Sequence, residues 1–242
     1  MNALYLLINL GAVSVPFAFS FHPRLRFYRH WGAAFAAIAL PLLVFLPWDA
    51  LFTARGHWGF SPEYITGIKL GNLPLEEILF FICIPYACLF TYYSLNLGGR
   101  SAEGNRHPVH FALAAVYFAV GVLFYDRAYT ATTFFLLSAF QLVSIFFFRG
   151  GLLRFYATYA ILLIPFFIVN GLLTGTGIEG QVVWYNNSEN LGLRLLTIPV
   201  EDVFYGMLLV QMNVFVFEWL RQRKSQPILS SPSPPVLLKS RL

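Results

Sequence analysis

Charged residues are scarce in this chain. Asp, Glu, Lys and Arg make up 11% of its 242 residues, against about 25% in soluble domains. That shortage excludes an ordinary water-soluble globular domain. Lysine is rarer still, with Lys69, Lys224 and Lys239 alone. None lies inside an apolar run, which excludes a retinal Schiff base in the last span. Aspartate-rich clusters for metal–diphosphate are absent, which argues against prenyl transfer. No glycine-rich loop links a strand to a helix in a soluble domain, so no flavin or nicotinamide site is expected. The basic residues form no single patch, which speaks against nucleic acid. Cysteine is limited to Cys83 and Cys88. Five residues apart on a helix they point in different directions, so they are expected to be buried apolar groups rather than a disulfide or a metal site.

What the chain does have is hydrocarbon. It is 58% hydrophobic and 18% aromatic, with 26 Phe and a mean hydropathy of +0.65. Seven apolar segments lie near residues 3–20, 32–48, 77–96, 110–125, 131–148, 155–172 and 201–220. Most approach the roughly 20 residues that cross a bilayer, and backbone groups in lipid must be satisfied within helices. The first segment is apolar at once, without a basic leader, and reads as a span rather than a cleaved signal. Basic residues orient the bundle. With seven spans, twelve of the sixteen fall on one face and only Arg55, Lys69, Arg127 and Arg194 on the other. The expected topology places the N-terminus outside and the C-terminus in the cytoplasm.

Two short segments nearly repeat each other. Pro74-Leu75-Glu76-Glu77 and Pro199-Val200-Glu201-Asp202 lie 125 residues apart and spend four of eleven acids at the edge of apolar runs. Pro41 and Pro165 precede them by 33 and 34 residues, Trp58 and Trp184 by 16 and 15. Helices one to three therefore align with five to seven, and helix four connects them. The expected fold is all-α: a polytopic membrane protein of seven transmembrane helices, built from two parallel three-helix repeats plus a connecting helix. Its parts are a first repeat at 1–100, a connecting helix at 101–130, a second repeat at 131–222 and a disordered cytoplasmic tail at 223–242. A parallel repeat starts both acidic helices on the same side, so the two pairs can face one cavity.

Acids after a first-turn proline are also an ordinary helix start, favoured by the helix dipole. The duplication at an apolar boundary favours proton handling instead, with paired carboxylates serving as acid and base. Trp48, Trp58, Phe80, Trp184 and Tyr205 gather at the same boundary, where aromatic faces can stabilise a cation. An interfacial aromatic belt would use the same residues. Asp49 and His57 are candidates for polar support. Asn186-Asn187-Ser188 matches a glycosylation acceptor and equally a polar turn. A small membrane transporter or a proton channel is the non-enzyme alternative.

Trp48-Asp49, Gly56-His57-Trp58-Gly59-Phe60, Gly67, Gly71 and Pro74-Leu75-Glu76-Glu77 resemble the lycopene cyclase domain of the non-flavin carotenoid cyclases. Trp184-Tyr185 and Pro199-Val200-Glu201-Asp202 resemble its partner domain. The resemblance covers about residues 1–222 and is to the fused bacterial type, without the phytoene synthase domain of fungal relatives. It implies a lycopene β-cyclase of the bacterial plasma membrane. The ψ-ends of lycopene would be protonated, closed through a carbocation and deprotonated to give γ-carotene and then β-carotene. No cofactor or metal is implied. The implied partners are lycopene and γ-carotene in the bilayer, membrane lipid, further copies of the chain, and other carotenoid enzymes. The family motif maps onto Glu76, Glu77, Glu201 and Asp202. Glu76 and Glu201 are the expected leading pair, because both copies hold Glu there, with Glu77 and Asp202 as tuning partners. A C50 carotenoid cyclase or a hydratase would share the protonation step.

Overall fold

The computed structural model describes residues 3–95, 107–147 and 152–225. Seven helices occupy them: α1 (Leu4–Phe19), α2 (Trp31–Ala54), α3 (Leu75–Leu95), α4 (His107–Leu123), α5 (Ala128–Phe147), α6 (Leu152–Thr174) and α7 (Val200–Ser225). The protein is an all-α polytopic membrane protein. The helices α2, α3, α5, α6 and α7 are long and apolar enough to span; α1 and α4 are apolar but shorter. The expected tail falls mostly at 226–242, outside the described residues, and α7 itself runs to Ser225.

Each apolar run became a helix near its expected place. α2 differs most, extending past residue 48 to Ala54 through Pro41 and Pro47. A bundle tolerates such prolines because neighbours re-satisfy the freed backbone groups. The extension carries Trp48 and Asp49 inside the helix rather than at its end.

The repeat is visible in the packing. α1 lies along α3, and α5 lies along α7. α2 packs closely on α7, whereas the corresponding α6 touches α3 more lightly. α4 lies on the outer side of α5. The core is aromatic, with Phe27, Phe45, Phe81, Tyr92, Phe155 and Phe217 fully buried.

Short strands at one end join the two halves. β1 (Trp58–Phe60) pairs antiparallel with β4 (Val183–Tyr185), and Gly59 stands opposite Trp184. Those two residues are 125 apart, the offset of the acidic motifs, so the strand pair is centred on the approximate two-fold of the repeat. A Cβ on Gly59 would collide with the Trp184 indole, so only glycine fits beneath that ring. Two matching hairpins, β2 (Lys69–Leu70) with β3 (Leu73–Pro74) and β5 (Arg194–Leu195) with β6 (Ile198–Pro199), deliver the chain into α3 and α7.

Gly175-Thr176-Gly177-Ile178-Glu179-Gly180 has the glycine spacing of a dinucleotide loop. It follows the end of α6 and leads to a strand. It therefore lacks the helix N-terminus that would receive a phosphate.

Candidate active site

The hairpins fix where the acids sit. Leu75 N–H donates to Ile68 O at 2.9 Å, and Val200 N–H to Leu193 O at 3.0 Å, closing each hairpin onto the first turn of its helix. Glu76 and Glu201 then turn back to the loops. Glu76 Oε1 accepts from Thr66 N–H at 2.7 Å. Glu201 Oε1 accepts from Leu191 N–H at 2.7 Å and from the Thr130 hydroxyl at 2.6 Å. Both glutamates are buried, and neither lines the cavity described next. The expected leading pair thus ties the loops to the helices.

Their neighbours face inward. Glu77 and Asp202 line a cavity of about 400 Å³ whose walls are mainly α1, α3, α6 and α7. Tyr5 donates to Glu77 Oε2 at 2.5 Å. Tyr129 and Tyr185 donate to the two oxygens of Asp202 at 2.6 and 2.9 Å. Asp49 joins them on the lining. Its Oδ1 accepts from the Trp58 indole N–H at 2.5 Å, and its buried Oδ2 has no hydrogen-bond partner. Three carboxyl groups therefore meet at one end of the cavity, while the rest of its wall is largely apolar.

Aromatic rings box this polar end. Trp58 meets Tyr129 edge-on at 5.1 Å between centroids, and Tyr129 stacks on Tyr185 at 6.0 Å. Tyr205 lines the cavity, with Trp48 packed behind it at 4.9 Å. Tyr185 lies in β4, outside the helices. Burial, with the Asp202 carboxylate beside it, pushes its phenol well above the ordinary tyrosine range, so it stays a donor at neutral pH.

The residues singled out from the sequence thus separate by place. Glu77, Asp202, Asp49, Trp58, Phe80 and Tyr205 line the cavity. Trp48 supports it from behind. Trp184 does not reach it; 41% exposed, it lies over Gly59, and its neighbour Tyr185 takes the inward position. His57 is buried off the cavity, with Nδ1 3.3 Å from the Glu189 carboxylate. Asn186 forms a polar turn, accepting from the Ser188 N–H and hydroxyl at 3.1 and 2.8 Å. Cys88 lines the cavity as a free thiol, and Cys83 is free as well. Tyr5 and Tyr129 escaped the sequence reading. Their signal was the repeat: they lie 124 residues apart, the spacing of Pro41 and Pro165.

Carboxyl groups held by phenols thus stand at the end of an apolar slot inside the helical bundle of a membrane protein. A sequence profile of the lycopene cyclase family matches residues 2–95 and 126–220, and the chain belongs to that family. A Phycomyces blakesleeanus protein described as a bifunctional lycopene cyclase/phytoene synthase is 45% identical over 64 residues, covering 26% of this chain and 10% of that protein. Proteins of the same description from Podospora anserina and Colletotrichum graminicola are 28% identical over 89 residues and 26% over 101. These cover 37% and 42% of this chain, but 14% and 16% of those proteins. The chain thus matches less than a fifth of the length of these curated relatives. No solved structure matches it.

Proposed function

We propose that this protein is a lycopene β-cyclase, an isomerase of the intramolecular lyase type. The observation that carries the reading is the meeting of Asp49, Glu77 and Asp202 inside an aromatic box at the end of an apolar slot. Family membership supplies the substrate class. One carboxyl group gives its proton to the terminal alkene of a ψ-end. The cation so formed is attacked by the neighbouring double bond, one carbon–carbon bond closes the six-membered ring, and a ring proton passes to a carboxylate. Protons and electrons balance, so the reaction needs no redox partner.

Glu77 and Asp202 are the acid and base of this scheme, and Asp49 is the third member of the set. Tyr5, Tyr129 and Tyr185 hold the carboxyl oxygens and can relay protons among them. The faces of Trp58, Tyr205 and Phe80 stabilise the cation without capturing it. Glu76 and Glu201 act as structural anchors. Pigment analysis of a lycopene-accumulating bacterial host tests the reading. Conversion through γ-carotene to β-carotene is expected. Unchanged lycopene with the protein in the membrane overturns it, and hydrated or C50 products assign the site to a related reaction.

The repeats occupy 1–100 and 131–222, with 101–130 between them. The bundle sits in a bacterial plasma membrane with its acidic end outside, drawing lycopene and γ-carotene from the bilayer, in contact with lipid and with further copies or other carotenoid enzymes. A reporter fused after Lys224 is expected to read cytoplasmic, and a periplasmic signal would reverse the orientation.

A further inference from the structure

The cavity is long and has a side. On α3 its lining runs from Glu77 to Thr91, a distance of about 21 Å at 1.5 Å per residue. Its carboxyl groups sit at one end only. Its flank is formed by Gly11, Ala12 and Val15 of α1 and by Pro165, Phe166 and Val169 of α6. These two helices barely touch. Gly11, Val15 and Pro165 line the interior and are exposed outside as well, Val15 to 61%. The slot therefore opens sideways, at the depth of the bilayer hydrocarbon.

The repeat supplies an internal control. Advancing 124 residues from Gly11 reaches Phe135, and stepping back 124 from Val169 reaches Phe45. Where the open cleft has a glycine and a valine, the related cleft between α5 and α2 has two phenylalanines. Phe45 is fully buried, 5.1 Å from the Tyr205 ring. Phe135 is covered by α4, where Gly121 comes so close that a Cβ there would stand 2.7 Å from its ring. One cleft is thus filled by Phe45 on its α2 side, and its α5 side is backed by α4. The other keeps small residues at its mouth, and among the described residues no helix covers it.

We propose that the gap between α1 and α6 is a lateral portal, through which one end of a linear isoprenoid hydrocarbon slides from the bilayer to the carboxyl groups, with Gly11 and Val15 setting its width. The identity of that hydrocarbon as lycopene rests on the reading above. Pockets that hold whole drug-sized ligands measure about 300–1,000 Å³. A cavity of about 400 Å³ therefore takes one end of a much longer polyene and leaves the remainder in lipid. With acids at a single end of the slot, the two ends of a symmetric substrate are cyclised in separate visits. The half-cyclised product leaves the slot before its other end is admitted.

Gly11→Trp tests the portal. A Cβ at Gly11 meets nothing within 4 Å, so the new side chain starts in open space at the mouth. The readout is lycopene retained by the purified, detergent-solubilised full chain after gel filtration, with thermal unfolding recorded alongside. Gly11→Trp is expected to lower the lycopene retained by about tenfold or more. Leu10→Trp, half-exposed on the side of α1 opposite the slot, should stay near the parent. Val15→Trp serves as a second plug if Gly11→Trp unfolds early. Retention at the parental level by a folded plugged variant overturns the portal. A parent that retains lycopene without converting it, while the plug abolishes retention, upholds the portal and removes the cyclase reading. A parent that retains no lycopene overturns both.

Discussion

At the scale of the residue, one position along a helix separates an acid bonded to a loop from an acid facing the cavity. Adjacent helical residues point about 100° apart, so Glu76 and Glu77 cannot share a task. The sequence identifies both acidic pairs and ranks their members by identity, whereas the cavity lining holds Glu77 and Asp202. Glu76 and Glu201 match because the two hairpins match: each accepts a backbone N–H from ten residues upstream. Glu77 and Asp202 differ because they face unlike surroundings across one asymmetric cavity, Tyr5 on one side and Tyr129 with Tyr185 on the other. Glu76→Gln and Glu201→Gln therefore weaken hydrogen bonds that seat the loops. Each such bond contributes about 0.5–1.5 kcal/mol, so the expected effect of these two changes is on unfolding temperature.

At the scale of the element, the hairpins show how the copies have drifted. Gly71 has φ +64°, and Leu196, at the corresponding place 125 residues on, has φ +60°. A two-residue hairpin favours glycine at this position, and a side chain held there costs about 1–2 kcal/mol. Leu196→Gly is therefore expected to raise stability by about 1 kcal/mol, read as a higher unfolding temperature in detergent. A lower temperature would mean that the exposed Leu196 side chain makes a compensating contact. The helices were legible because twenty-residue apolar runs leave little choice. The hairpins were not, since strands of two residues carry no periodicity. Trp184 was misplaced for a related reason. Aligning it with Trp58 shifts the register by one, whereas the strand pair matches it with Gly59. Tyr5 and Tyr129 were masked because tyrosine near a membrane boundary ordinarily reads as interfacial anchoring.

At the scale of the whole molecule, duplication supplies two similar halves and asymmetry supplies the site. Both acidic helices start on the same side, bringing Glu77 and Asp202 to one cavity. One inter-repeat cleft is packed with Phe45 and Trp48 against Tyr205, and the other stays open beside α6. The repeat was visible in the sequence as a spacing of 124 to 125 residues. Which cleft would open was not, because that depends on residue size at paired positions and on where α4 lies. The central claim is that Glu77 and Asp202 handle the proton while Glu76 and Glu201 hold the loops. The most direct test is cyclised carotene formed per folded protein for E76Q, E77Q, E201Q and D202N in a lycopene-accumulating host. E77Q and D202N are expected to lose about 100-fold or more, the scale of general acid–base catalysis, while E76Q and E201Q keep parental turnover per folded molecule. Parental turnover in E77Q or D202N, or selective loss in E76Q and E201Q at unchanged stability, would contradict the account.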